Sequence, residues 1–327
     1  MGEMRMIEAV REAMAEEMER DGRVLVMGED VGRKGGVFGA TDGLHARFGE
    51  ARVLDTPLAE SAIVGVAIGA ALNGLIPIVE IQFADFIHPA FDQIVSEAAR
   101  TRYRSDGDYS VPIVIRAPFG GGVHGGLYHS QSIEAFYAHV PGLKVVVPSM
   151  PADAHGLLKS AIRDPDPVLF LEHKKVYRLV AEDVPAGDHL VPIGPAATRR
   201  QGSDLSCFAW GLMTHYCMEA AQQLEAEGVS VEVVDLRTLA PLDRDAILGS
   251  VRRTGKAMVV HEDNLTGGFG AEVAAIISEH AFDDLDGPVI RVAGPDIPAM
   301  PFNSPQEEFF MPNPRKIADA MRKLAAY

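Results

Sequence analysis

The chain has 327 residues, 47% of them hydrophobic and 23% charged, with a formal net charge of −16 at pH 7. That length fits two domains rather than one, with apolar residues enough for a sizeable core. So acidic a balance offers no basic patch to nucleic acid and opposes an anionic membrane surface at long range. The two cysteines, Cys207 and Cys217, form neither a disulfide framework nor a metal-type spacing.

The opening residues, Met1-Gly2-Glu3-Met4-Arg5-Met6, lack the apolar stretch of a signal peptide. The longest apolar run, 62–72, falls short of the roughly 20 residues that span a bilayer. We therefore expect a soluble protein of the cytoplasm or another reducing intracellular compartment, with no membrane and no nucleic acid among its partners. In chain order, 6–20 places Ile7, Val10, Met14 and Met18 on one helical face at spacings of three and four. Short apolar runs at 24–27, 76–83, 111–115, 143–148 and 168–171 then alternate with helical stretches. Continuous apolar strands separated by helices predict a parallel sheet covered on both faces. The helix at 60–73 is apolar nearly all round and carries Gly65 and Gly69, so we expect it in the core. Proline and glycine crowd 183–203, which reads as a linker or edge segment. Strands at 205–210, 229–236, 257–261 and 289–292 follow, with helices at 213–227, 243–253, 270–281 and 314–324. The expectation is an α/β chain: a parallel-sheet domain at 1–187, then a smaller α/β domain at 188–327.

In open parallel sheets, ligands bind beyond the carboxyl ends of the strands. Four loops qualify: Gly28-Glu29-Asp30 with the glycines after it, Asp55-Thr56-Pro57-Leu58-Ala59-Glu60, Gln82-Phe83-Ala84-Asp85-Phe86, and the glycine-rich 118–126 running into His129. Each has a plainer reading as well. Glu60 can simply complement a helix dipole, Glu29 can be a solvated loop acid, Phe86 can be core, and His129 an ordinary polar residue beside the equally placed His124. The glycines suit tight turns, and Gly267-Gly268-Phe269-Gly270 is a weak anion-site signal.

Together and in this order, the motifs resemble the beta subunits of 2-oxo acid dehydrogenase complexes, members of the transketolase-like thiamine diphosphate family. The resemblance covers essentially the whole chain. It rests on Val26-Met27-Gly28-Glu29-Asp30-Val31, the run from Asp55 to Glu60, 80–93, His129-Ser130-Gln131, Pro141-Gly142-Leu143-Lys144-Val145-Val146, Ala161-Ile162-Arg163-Asp164 and Asp235-Leu236-Arg237-Thr238-Leu239.

The resemblance implies a transketolase-like fold, with a pyrimidine-binding domain followed by the C-terminal domain. It implies that Glu60 binds the aminopyrimidine of thiamine diphosphate and activates it, a task for a carboxyl group in an apolar pocket. The cofactor contacts would further include Glu29, Leu58, Gln82 and Phe86, and His129 would handle protons during transfer of the acyl group to a lipoyl arm. A structural monovalent cation, potassium by family habit, maps to Ile113, Ala161, Ile162, Asp164 and Asp166. The family holds diphosphate and magnesium with a Gly-Asp-Gly motif, and the nearest string here, Ser105-Asp106-Gly107-Asp108-Tyr109, lacks its first glycine. Magnesium and the diphosphate would then belong to an alpha subunit in an α2β2 heterotetramer, and a lipoyl-bearing acyltransferase core would be the further partner. The run from Gly125 to Phe136 looks closer to branched-chain than to pyruvate enzymes, with the pyruvate type as alternative. A self-sufficient transketolase would need a further domain, and a non-catalytic assembly subunit would have no use for Glu60, Phe86 and His129 together.

Overall fold

A computed structural model of the chain describes residues 2–327. Two compact units share the described residues, one formed by 2–119 and 136–193, the other by 120–135 and 194–327. The division is less linear than the expected boundary at 187/188. Residues 188–193 pack with the first unit, where Ser160 Oγ donates to Val191 O at 2.6 Å.

The first unit is built on parallel strands in the order Val53–Asp55, Val24–Gly28, Ile76–Glu80, Val114–Phe119, Val168–His173, Lys144–Val146. Five of these are buried along most of their length, as sheets covered on both faces require. The run expected at 111–115 enters the sheet only at Val114, because Pro112 has no N–H for the ladder. The strand expected at 76–83 stops at Glu80, after which Ala84–Phe86 turns as a short 3-10 helix. Helix Met6–Arg20 spans its expected residues and packs on Pro151–Ile162. The second of these helices escapes the apolar pattern because it buries His155 and Lys159, which face Glu16 at 3.4 and 2.6 Å.

One expectation is corrected. Helix Glu60–Leu72 buries only Ile63, Val64, Ala67, Ile68 and Ala71, while Val66 is 59% and Leu72 39% exposed. Its uniform apolarity therefore leaves a bare face instead of marking a core helix.

Arg116, wholly buried in the middle of the sheet, donates to Glu80 Oε2 at 2.7 Å and to both oxygens of Glu172 at 2.6 and 2.7 Å. Tyr177 OH adds a bond to Glu172 Oε2 at 2.5 Å. Burial pushes the Glu80 carboxyl up, and Arg116 acts against that rise.

The second unit orders its strands Ile290–Gly294, Ala257–Asn264, Leu205–Ala209, Val231–Asp235, Ala197–Arg200, parallel except for the last. The proline- and glycine-rich stretch thus does supply an edge strand. Local signals set its helix ends. Asp243 caps Arg244–Thr254 by accepting from Ala246 N, Asn313 caps Pro314–Ala325 through Lys316 N, and Gly255 leaves its helix at φ 67°.

Candidate active site

Strand Val24–Gly28 leads to Val53–Asp55 on one side, and the chain then returns to Ile76–Glu80 on the other. The order of connection reverses here, and open α/β sheets place their ligand crevice beyond such a point. Glu29 follows the first of these strands, the run from Thr56 to Glu60 the second, and Gln82 the third. Thr56 N donates to Gly28 O at 2.9 Å and Gly32 N to Asp55 Oδ1 at 2.6 Å, which ties the loops together. Gln82 Nε2 reaches Glu29 O and Asp30 Oδ2, both at 3.5 Å.

Glu60 is the first residue of its helix and half-buried. The apolar surroundings expected of it are thinner than the sequence suggested, since Ala62 and Val66 face outward. The Glu29 carboxyl lies above its ordinary range. Burial pushes it up first, and the negative charges of Glu60 and then Asp30 push it further. The charge of Glu60 thus bears on Glu29 at the mouth of these loops. Phe86 sits edge-on to Phe83 at 5.8 Å, which in turn meets Phe38 at 5.4 Å, so it belongs to an aromatic cluster. Leu58 is 78% exposed. Thr56 Oγ1 is buried without a hydrogen-bond partner. The glycines after Glu29 follow their plainer reading: Gly35 and Gly36 have φ of 78° and 80°, and a side chain on Gly36 would begin 3.0 Å from Glu80 Oε1.

His129 lies in the second unit, half-buried at the end of the short 3-10 helix Gly126–Tyr128, with its N–H on Gly126 O at 3.3 Å. Of the residues assigned to a monovalent cation, Ile113, Ala161 and Ile162 are buried, and Asp164 and Asp166 are half-buried at the turn after helix Pro151–Ile162. There Asp164 Oδ1 accepts from Lys144 Nζ at 2.5 Å and from Asp166 N at 2.9 Å, and Asp166 Oδ1 accepts from Arg102 at 2.5 Å. Both carboxylates thus already face cationic side chains. Among the described residues no group of three or more His, Cys, Asp and Glu is placed to hold a metal ion, and no helix is long and apolar enough to cross a membrane.

The family models that match are "Transketolase, pyrimidine binding domain" over residues 2–180 and "Transketolase, C-terminal domain" over 194–317. The chain is 60% identical to the 2-oxoisovalerate dehydrogenase subunit beta of Bacillus subtilis, over all of both chains. It belongs to the family of 2-oxo acid dehydrogenase beta subunits. It is also 49% identical, again over all of both chains, to the pyruvate dehydrogenase E1 component subunit beta of the same organism. A solved structure described as a split-gene transketolase, inactive beta4 tetramer, aligns with a TM-score of 0.78 and 26% identity, covering 98% of this chain and 97% of that one. The α/β fold of this family, a parallel-sheet pyrimidine domain and a C-terminal domain, is the one expected from the sequence.

Several polar residues of the second unit escaped the sequence reading. Glu307 is buried and bonds the loop that bears His129. Glu134, also buried, accepts from Trp210 Nε1 at 3.0 Å, and Trp210 stacks on His261 at 5.4 Å and 6°. Gly268 and Gly270 are small because a side chain on either would start 2.5 Å from the His261 ring, so that glycine cluster serves packing. A lone Trp was the only signal pointing here; no motif links positions 134, 210 and 261.

Proposed function

We propose that this chain is the beta subunit of a thiamine-diphosphate-dependent 2-oxo acid dehydrogenase. With an alpha subunit in an α2β2 assembly, it decarboxylates a branched-chain 2-oxo acid and passes the acyl group to the lipoyl arm of an acyltransferase core. The observation that carries this reading is the gathering of Glu29, the run from Thr56 to Glu60 and Gln82 beyond neighbouring strands at the reversal of the sheet, where burial and the charge of Glu60 push the Glu29 carboxyl up.

That donor set fits the ring half of the cofactor. An aromatic nitrogen heterocycle needs flat apolar contact, which Phe86 and Leu58 supply, and one directed carboxylate, which is Glu60. Thr56 Oγ1, buried and without a partner, is a further polar atom available there. When bound, thiamine diphosphate supplies the electron sink for decarboxylation. The chain's own task is to orient the ring and to hold a proton between Glu60 and the ring nitrogen. His129 is assigned proton donation to the departing lipoyl sulfur, because imidazole exchanges protons near neutral pH.

Diphosphate and magnesium are assigned to the alpha subunit. The structural neighbour named an inactive beta4 tetramer supports a division of the site between chains. A potassium ion at the corner of Ile113, Ala161 and Ile162 would rest on main-chain oxygens, since Lys144 and Arg102 engage the side chains of Asp164 and Asp166. The branched-chain assignment draws on 60% identity to the 2-oxoisovalerate enzyme's subunit against 49% to the pyruvate enzyme's.

The test is reconstitution with an alpha subunit and assay with 2-oxoisovalerate beside pyruvate. Faster turnover of 2-oxoisovalerate is expected; a preference for pyruvate overturns the substrate, and no decarboxylation of either overturns the function. Calorimetry of the isolated chain is expected to show no tight, magnesium-dependent thiamine diphosphate binding.

A further inference from the structure

The loop that carries His129 contains four residues in the left-handed region: Gly120 at φ 86°, Gly122 at 77°, His124 at 56° and Gly126 at 66°. Three are glycines, which take that conformation without strain, but His124 is not. A backbone of this kind turns successive N–H groups toward one point and forms an anion-binding concavity. Here the anion is supplied by the protein itself. Glu307 Oε1 accepts from Gly122 N at 3.0 Å and from His124 N at 3.1 Å, and Oε2 lies 2.7 Å from His124 Nδ1. Glu307 is only 3% exposed, so water does not compete well for these bonds. Hydrogen bonds to a carboxylate are about twice as strong as neutral ones.

The surroundings of Glu307 grip the same loop. A side chain on Gly121 would begin 2.7 Å from Met300 and 3.0 Å from Met311, and one on Gly126 would begin 3.2 Å from Phe302. Farther along, Ser132 Oγ faces Glu262 Oε2 at 3.4 Å and Glu134 accepts from Trp210. His129 falls between these two anchors. Gly125 packs directly on it, since a side chain there would start 2.8 Å from His129 Cβ.

We propose that Glu307 is a positioning residue for His129: by filling the concavity at Gly122 and His124 it holds the imidazole where acyl transfer to the lipoyl arm needs it. This rests on the role given to His129 above. Glu307 touches neither cofactor nor substrate in this scheme and acts only through the loop.

The test uses the reconstituted assembly and four variants: Glu307→Ala, Glu307→Gln, His129→Ala and the Glu307→Ala/His129→Ala pair. Amide hydrogen exchange over 120–131 reports the clamp, and reductive acylation of a lipoyl domain, beside decarboxylation with an artificial electron acceptor, reports its consequence. In Glu307→Ala we expect faster exchange confined to this loop and a 10- to 100-fold loss of acylation, about what misplacement by roughly 1 Å costs. Decarboxylation should fall much less. Glu307→Gln, which keeps an acceptor oxygen for the two N–H groups, should recover part of both. In the His129→Ala background, removal of Glu307 should cost acylation nothing more, because residues acting as one unit are not additive. Unchanged exchange in the loop, or a full additional loss in the double variant, overturns the proposal. Should Glu307→Ala not assemble, Glu307→Gln and His124→Ala, each removing part of the clamp, are read in the same assays with the same criteria. Equal losses of both half-reactions in His129→Ala alone would instead overturn the role of His129, while the exchange data still decide whether Glu307 holds the loop.

Discussion

Each unit gathers carboxyl groups at the ends of its parallel strands, and the two gatherings differ in access. In the first unit Glu29 and Glu60 are half-buried, and burial, then the charge of Glu60, pushes the Glu29 carboxyl up. The second unit buries Glu134 completely against Trp210, with Glu262 and Asp263 beside it. There the Glu134 carboxyl is pushed up to about 8, by burial first and then by Asp263, whose own carboxyl burial pushes up to about 6. A raised carboxyl is useful to chemistry only where a ligand can reach it. The half-buried pair is open to a ligand, whereas burial of the sealed group favours its protonated form. The protein also shows the ordinary solution for buried carboxylates, in which Arg116 lies between Glu80 and Glu172.

The largest effect should come from the open pair. Glu60→Gln in the reconstituted enzyme is expected to lower decarboxylation by about 10²- to 10⁴-fold, as loss of an essential acid-base group does, with assembly unchanged by size-exclusion chromatography. Near-normal turnover would reduce Glu60 to a helix-dipole residue.

Arg116→Met is the counterpart for the paired carboxylates. Leaving Glu80 and Glu172 buried without their cation should cost about 3–5 kcal/mol in urea unfolding. A loss below about 1 kcal/mol would mean that the strands relax and admit water.

His129→Ala is expected to separate the half-reactions, with reductive acylation reduced at least about tenfold more than decarboxylation measured with an artificial acceptor. Both rates should be taken from one preparation of unchanged subunit composition.

The smallest effect concerns the sealed group. Its folded pKa lies above the ordinary carboxylate value, so the native state holds the proton more tightly than the unfolded chain. The stability this provides is complete below the ordinary carboxylate range and is lost as pH rises through about 8. Glu134→Gln keeps an oxygen for Trp210 Nε1 and has nothing to ionise. It should raise Tm at pH 8 by about 2–4 °C for each kcal/mol relieved and flatten the decline between pH 5 and 8. An unchanged Tm-against-pH profile would show that Glu134 does not titrate in this window. On the acid side His261, held neutral by burial with a pKa pushed down to about 4, should cause stability to fall as pH drops from about 6.5.

The sequence by itself determined the features whose cause lies within a few residues. The face of Met6–Arg20, the caps Asp243 and Asn313, the turn at Gly255 and the short apolar strands all follow from periodicity and local hydrogen bonding. Motif order likewise picked out the loops at Glu29, Thr56 to Glu60 and Gln82, which the sheet brings to one end of its strands. Tertiary structure decided the rest. Whether the apolar helix Glu60–Leu72 is core or surface depends on how much of its circumference finds a neighbour, and only one face does. Which carboxylates are paired, sealed or open depends on contacts across the chain: Arg116 meets Glu172 over 56 residues, and Glu307 meets Gly122 over 185. No period or cap encodes such a meeting, because the energy that favours burying a carboxylate in a ring of N–H groups exists only once the fold has put them side by side.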